Sequence, residues 1–347
     1  MKRHLLFLAA LLIVNLAASA QKKFSVYAVG FYNQENLFDT CHDEGKKDYE
    51  YLPNKGWNGM KYTNKLRNMS KALADMGTDV LPNVGCAFIG LSEVENHKVL
   101  DALVDQAPLK ARNMKYVHIE GPDRRGIDCA LLYNPSLFSV KNVKLLPYVQ
   151  ELAKDSAFFT RGFLTVRGEM AGDDVAVIVC HWPSRFSGPF YRESAARQVK
   201  VIKDSLLNVN QEMKIFVMGD MNDDPVNKSM HVYLQAKPEI SQVGAGDMYN
   251  PWYNVLAKEG KGTLFYSGNW NLFDQIVITP NLLNKDAKKK DYSSLKYWKS
   301  HIFRRDYLIQ QEGQYTGAPL RTTAGGRWLN GYSDHLPVVM YLVKEKK

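Results

Sequence analysis

Two stretches of the chain put ionisable side chains at the mouths of apolar strands. Tyr332-Ser333-Asp334-His335-Leu336-Pro337 runs into the apolar segment Val338 to Val343, so an acid and an imidazole sit side by side where a buried strand begins. Burying such groups is costly unless they are paired or used. Ile215-Phe216-Val217-Met218 passes through Gly219 into Asp220-Met221-Asn222-Asp223-Asp224-Pro225. Period-two alternation predicts Asp220 and Asn222 on one side of that extended segment. These residue types suit attack on a phosphoester. Such a reaction needs charge neutralised on the non-bridging oxygens, a water activated, and the leaving oxygen assisted. Carboxylate and amide oxygens are also the donors that hard divalent metals prefer.

Other strand ends carry the same signal. Asn33 closes the first apolar run, Phe24 to Tyr32, where an asparagine is commonly a turn residue. Glu93 directly follows Ile89-Gly90-Leu91-Ser92, and taken alone would be an acid at the start of the next helix. His181 follows Val177 to Cys180, a place where a lone histidine is more often structural than catalytic. Asp274 opens Phe273-Asp274-Gln275-Ile276-Val277-Ile278; paired with His335 it would fix the imidazole tautomer and favour its protonated form.

The elements that must position these groups are short and apolar. Strands are predicted at Phe24 to Tyr32, Ala87 to Leu91, Tyr116 to Glu120, Cys129 to Tyr133, Phe163 to Arg167, Val175 to His181, Ile215 to Met218, Phe273 to Ile278 and Val338 to Val343. Leu66, Met69, Leu73 and Met76 recur at helical spacing with Gly77 as the stop, and Ala195, Val199, Ile202 and Leu206 give a second amphipathic helix. Val99 to Val104 begins a third. Many strands with few helices describe an α+β fold of two packed, mostly antiparallel sheets with helices outside. No repeat or linker divides residues 21–347, so one catalytic domain is expected. Residues 285–330 read as an insertion before the last strand, with Lys288-Lys289-Lys290, Tyr292, Tyr297-Trp298, Arg304-Arg305 and Trp328. Basic residues interleaved with aromatics can hold phosphates and stack bases, and a solvated loop is the plainer reading.

The first twenty residues read as a signal peptide: Lys2 and Arg3, an apolar run from Leu5 to Leu16, then Ala18-Ser19-Ala20 as the cleavage signal. The expected protein is therefore exported, periplasmic or extracellular, and starts near Gln21. The formal charge is +9, or +7 without Lys2 and Arg3, which is compatible with an anionic substrate. Of the four cysteines, Cys129 and Cys180 lie within strand patterns and read as small buried hydrophobes; no essential bridge is expected among Cys41, Cys86, Cys129 and Cys180. There is no C-x-x-C pair and no H-E-x-x-H, which argues against the common zinc sites.

The ordered set Tyr32-Asn33, Leu91-Ser92-Glu93, Cys180-His181, Gly219-Asp220-Met221-Asn222, Phe273-Asp274-Gln275-Ile276 and Ser333-Asp334-His335-Leu336-Pro337 resembles the endonuclease/exonuclease/phosphatase superfamily, in its deoxyribonuclease I-like, secreted bacterial nuclease-like branch. The resemblance spans the mature chain and implies a four-layer α/β/β/α sandwich and a metal-dependent phosphoesterase. It implies that Glu93 binds the divalent metal, usually Mg²⁺ with Mn²⁺ or Ca²⁺ as alternatives, with Asp334 and Asn33 nearby. Asp220 and Asn222 would position or deprotonate the attacking water. His335, oriented by Asp274, would bind the phosphate or act as base, and His181 would stabilise the transition state or protonate the leaving oxygen. Arg161 would face the substrate, and Glu35 stands where some relatives have a second metal-proximal acid. The implied activity is an endonuclease acting on nucleic acid, without a protein partner and as a monomer. A phospholipid or small phosphoester is the alternative substrate, with Met248 to Tyr253 as a candidate membrane-facing hairpin. A non-catalytic relative would have lost acids or histidines from the set, and none is lost.

Overall fold

The computed structural model describes residues 23–151, 158–286 and 288–346. The signal peptide expected at residues 1–20 lies outside them. In chain order the strands begin with β1 (Phe24–Leu37), β2 (Cys86–Val94), β3 (Lys115–His118), β4 (Asp128–Tyr133), β5 (Phe138–Leu146) and β6 (Phe163–Met170). Then come β7 (Asp173–His181), β8 (Lys214–Asp220), β9 (Ala236–Lys237), β10 (Met248–Tyr249), β11 (Leu264–Tyr266) and β12 (Asn269–Asn271). The last are β13 (Asp274–Ile278), β14 (Lys296–Ile302), β15 (Thr323–Ala324), β16 (Arg327–Trp328) and β17 (Val338–Glu345). The helices are α1 (Gly59–Asp75), α2 (His97–Val104), α3 (Ala107–Ala111), α4 (Pro189–Val209) and α5 (Tyr253–Ala257).

Among the described residues a six-stranded sheet, β14-β17-β1-β2-β4-β3, faces a seven-stranded one, β5-β6-β7-β8-β13-β10-β9. Both are mixed and mostly antiparallel. Each sheet is covered on both faces, which is why its central strands read as continuous apolar runs rather than alternating ones. The period of two is nevertheless visible in where the side chains go. On β7, Val175, Val177 and Val179 point between the sheets with Phe31, Phe88, Leu131 and Phe216. Ala176, Ile178 and Cys180 point outward to Ala195, Ala196 and Val199 of α4. On the first sheet, Ile89, Leu91, Ala130 and Leu132 point outward to Leu66, Met69 and Leu73 of α1 and Val99 and Leu103 of α2. The result is the α/β/β/α layering that the resemblance implies. Helix α1 starts on Asn58, whose side chain accepts from the Lys61 amide, and its exit turns through left-handed Gly77.

Three sequence readings change. Residues 285–330 are not simply inserted: they contain β14, which pairs antiparallel with β17 as the edge of the first sheet. The basic-aromatic residues within that segment also part company. Tyr292 packs on Phe24 and its carbonyl accepts from the Glu345 amide, so the neighbouring lysines sit at the opposite end of β17 from His335. Met248 to Tyr253 is no exposed hairpin, because Met248, Asn250 and Trp252 are fully buried. All four cysteines are free, with Cys41 exposed and the other three buried.

Candidate active site at one edge of the two sheets

Strand direction gathers the polar residues. In the first sheet β1 and β2 are parallel, so Asn33 and Glu93 leave the sheet at the same edge, and β17 runs antiparallel with its start, beside Asp334 and His335, at that edge. The second sheet repeats the arrangement. Strands β7 and β8 are parallel with His181 opposite Asp220, and antiparallel β13 places Asp274 opposite Asp220 from the other side. Gly219 makes this spacing attainable, since a Cβ there would stand 2.2 Å from the Cys180 carbonyl oxygen.

The two halves meet across the gap. Asn33 Nδ2 donates to Asp220 Oδ2 at 3.0 Å. His335 Nδ1 lies 2.6 Å from Asp274 Oδ2, and its Nε2 is 3.9 Å from Asp220 Oδ2 and 4.0 Å from Asp334 Oδ1. His181 Nε2 is 3.6 Å from Asp220 Oδ2 and 3.9 Å from Glu93 Oε1. Glu93, Asp220, His181, Asp274, Asp334, His335 and Asn33 therefore form one cluster.

Asn222 reaches the cluster differently from the expectation. Strand β8 stops at Asp220, and Asn222 is left-handed at φ 49° rather than extended. Asp220 Oδ1 accepts from the Asn222 amide at 2.9 Å, and Asn222 Nδ2 donates to the Trp182 carbonyl at 2.9 Å. A turn, not strand alternation, sets Asn222 beside Asp220, and its backbone amide rather than its side chain meets the carboxylate. Glu35, Asn36 and Glu93 also have positive φ. Non-glycine residues in this region are strained and cluster at functional sites.

Electrostatics separates the roles. Burial, reinforced by the Asp274 and Glu93 carboxylates and opposed by His335 and the Asn222 amide, pushes Asp220 up to about 6. Burial disfavours the His335 imidazolium, but Asp274, Asp220 and Asp334 outweigh it and hold the ring well above the usual histidine range. His181 moves the other way: burial first, then Arg161, Arg125 and His335, hold it well below that range. The two imidazoles are thus biased in opposite directions, His335 towards the charged form and His181 towards the neutral one. With two carboxylates facing Nε2, neutral His181 keeps its proton on that nitrogen.

Glu93 and Asp334 each spend one oxygen on the protein and turn the other to the cleft. Glu93 Oε2 accepts from the Asn36 amide at 2.9 Å and Asp334 Oδ2 from Arg321 Nη2 at 3.1 Å, which leaves Glu93 Oε1 and Asp334 Oδ1 beside the histidines. This hard-oxygen donor set fits a divalent cation such as Mg²⁺. Asn33 contributes less directly than expected. Its Oδ1 accepts from the Glu35 amide at 2.8 Å while its Nδ2 holds Asp220, so it orients a carboxylate. Elsewhere His118, Glu120 and Asp128 bring ligand atoms within 4.8 Å of one another, but Lys46 Nζ lies 3.6 Å from Glu120 and already supplies positive charge there.

Arg161 is not on the open surface of the cleft. It is buried, with Nη1 on Asp123 at 3.1 Å and Nη2 donating to the Trp182 carbonyl at 3.0 Å. It braces the loop behind His181. A half-buried arginine that does line the cleft is Arg321, which sequence reasoning missed. It lies 3.4 Å from Glu35 Oε1 as well as on Asp334, and the Thr322 amide donates to Glu35 Oε2 at 2.6 Å. The one local clue was Gly331, where a Cβ would meet the Leu320 and Arg321 carbonyl oxygens at 2.2 Å. Glycine there lets the segment entering Ser333 cross Arg321 closely.

Lys65 was also missed. Buried on α1, it donates to the Tyr332 carbonyl and Thr322 Oγ1, and burial pushes it down to about 8 against the opposing pull of Glu35, Asp334 and Glu93. Lys65→Met should therefore leave Thr322 Oγ1 and the Tyr332 carbonyl with only their mutual hydrogen bond, and an excess of negative charge beneath the site. A loss of about 2–4 kcal/mol is expected from the urea midpoint; an unchanged midpoint would show that the lysine is dispensable.

Solved structures resemble this fold at low identity. ANGEL2, described as a 2′,3′-cyclic phosphatase, aligns with a TM-score of 0.57 at 13% identity over 93% of this chain and 97% of that one. A mannosyl-6-phosphatase of Bacteroides thetaiotaomicron gives 0.54 at 14% identity over 91% and 99%. Danio rerio (D. rerio) TDP2 complexed with single-strand DNA product gives 0.53 at 11% identity over 92% and 99%. No curated protein sequence matches. The pattern of the Endonuclease/Exonuclease/phosphatase family matches residues 28–344, which takes in every residue of the cluster. The chain belongs to that family, whose members are phosphoesterases.

Proposed function

We propose that the protein is an exported, divalent-metal-dependent phosphodiesterase that hydrolyses DNA or RNA by water attack. The observation that carries this reading is the placement of His181 and His335, 3.6 Å and 3.9 Å from Asp220, between two carboxylates that each keep one oxygen free of the protein. A phosphodiester needs help on both sides of phosphorus, and this arrangement offers a donor on each side of a proton acceptor.

Asp220, near 6, is ionised at neutral pH yet basic enough to take a proton from water, the condition that favours a general base. Asn33 Nδ2 and the Asn222 amide hold its two oxygens in place. Charged His335, anchored by Asp274, presents Nε2–H to a phosphoryl oxygen, and neutral His181 offers a second N–H donor. Asp274 acts through His335 as a positioning residue. Glu93 and Asp334 would hold the cation, which when bound neutralises phosphoryl charge and lowers the pKa of water.

The net positive charge and the cleft-facing Arg321 favour a polyanionic substrate. Purified protein should degrade plasmid or single-stranded nucleic acid, lose that activity to chelator, and bind more weakly as salt rises. Protein recovered from its native host should begin at Gln21. Intact nucleic acid at any metal supplied overturns the nuclease reading, and a retained Met1 overturns export.

A further inference from the structure

The nuclease reading leaves open what the organic part of the substrate touches, and the cleft beside Asp334 leads to an unassigned pocket. The cleft, about 700 Å³, is lined by Asp334, Arg321, Phe265, Tyr266, Gln314 and Tyr315. A second cavity of about 570 Å³ shares Phe265, Gln314 and Tyr315 with it and adds Trp270, Ile302 and Arg304. Strand β11 ties this wall to the chemistry: Leu264 is bridged to His335, and the Leu336 amide donates to the Thr263 carbonyl.

Resting on that reading, we infer that this pocket, built by the β11–β12 hairpin and the 310–318 loop, receives an unpaired nucleobase next to the scissile phosphate, so that the enzyme prefers single-stranded nucleic acid. Phe265 and Trp270 pack with ring centroids 5.2 Å apart and form an aromatic wall. Tyr315 and Tyr266 stand half or more exposed at the rim, 52% and 68%, so their ring faces are open to a ligand. Arg304 lies exposed at the same pocket and has no carboxylate within ion-pair distance among the described residues. Its guanidinium is thereby available to a neighbouring phosphate.

The chemistry selects the ligand class. Aromatic faces beside a free guanidinium bind a flat heteroaromatic ring joined to an anion, and bases stack on such faces with little regard to sequence. A base inside a duplex has both faces covered by its neighbours and cannot enter a concave pocket without being extruded. The volume also suits the purpose, because pockets of roughly 300–1,000 Å³ bury organic ligands of this size.

The test uses three substrates: a mixed-sequence single-stranded oligonucleotide, the same sequence as a duplex, and glycerophosphocholine, a small diester without any aromatic ring. Single strands should be cut in clear preference to the duplex. Tyr315→Ala and Trp270→Ala should raise KM for the single strand about tenfold, with turnover of the small diester unchanged. In chelator, fluorescence anisotropy of a labelled single strand should show the same loss of affinity. Tyr315 is exposed, so its variant keeps the test valid if Trp270→Ala fails to fold. Equal cutting of single strand and duplex, or Tyr315→Ala with unaltered KM and affinity, overturns the pocket assignment while leaving the nuclease reading intact. Turnover of the small diester with both nucleic acids uncut overturns the nuclease reading itself.

Discussion

Replacing Asp220 with asparagine is expected to lower kcat by about 10²–10⁴-fold, the range contributed by a positioned general base. The substitution preserves shape but leaves one acceptor oxygen for two donors, Asn33 Nδ2 and the Asn222 amide, so an unchanged thermal midpoint measured alongside is what shows that the loss reports proton acceptance rather than collapse. The pH profile gives an independent readout. Because burial and the neighbouring carboxylates raise Asp220 to about 6, the ionised form is lost as pH falls through that value. Wild-type activity should therefore show an acid limb in that region. The same limb should vanish from the residual activity of Asp220→Asn. Retention of activity within tenfold, or an unchanged acid limb in the variant, would assign proton acceptance elsewhere.

The second large effect is expected at Glu93. Glu93→Gln keeps the acceptor that meets the Asn36 amide but removes the charge beside His181. Mn²⁺ binding measured by calorimetry should weaken at least about 100-fold, since altering even the groups behind metal ligands costs 10–100-fold. Turnover should fall in parallel at fixed metal. The thermal midpoint without metal should move little, because the backbone at φ 60° and the Asn36 contact are retained. Unaltered Mn²⁺ affinity in this variant would remove Glu93 from the donor set.

The clearest sequence signals were local ones. Gly219-Asp220 and Asp334-His335 each announce a polar group at the end of an apolar run, and strand polarity then forces such ends to one edge of each sheet. The pairing of Asp274 with His335 was legible for the same reason, since Asp274 opens β13 and His335 lies just before β17. Strand β5 escaped notice because its residues from Ser139 to Leu146 are partly or fully exposed, with a register shift between Val140 and Asn142 that breaks the alternation. Strand β14 was hidden by Lys296, Lys299, Ser300 and His301, polar residues acceptable only at a sheet edge. Arg321 and Lys65 could not be read at all. Lys65 meets its acceptors on Thr322 and Tyr332 more than 250 residues away, and no local period encodes such a contact. Arg161 was misassigned because an arginine beside a strand looks the same in sequence whether it faces solvent or braces a loop.

The pairing of β1 with β17, Phe24 opposite Glu345 and Phe31 opposite Val338, also governs when this molecule can act. Asp334 and His335 are translated after every other member of the cluster, and they are set in place only when β17 has emerged and docked on a strand made more than 300 residues earlier. Contacts so distant along the chain form late in folding. A nascent polypeptide still held by the ribosome, or a fragment that ends before Val338, consequently lacks the strand pairing that sets Asp334 and His335 in the cluster.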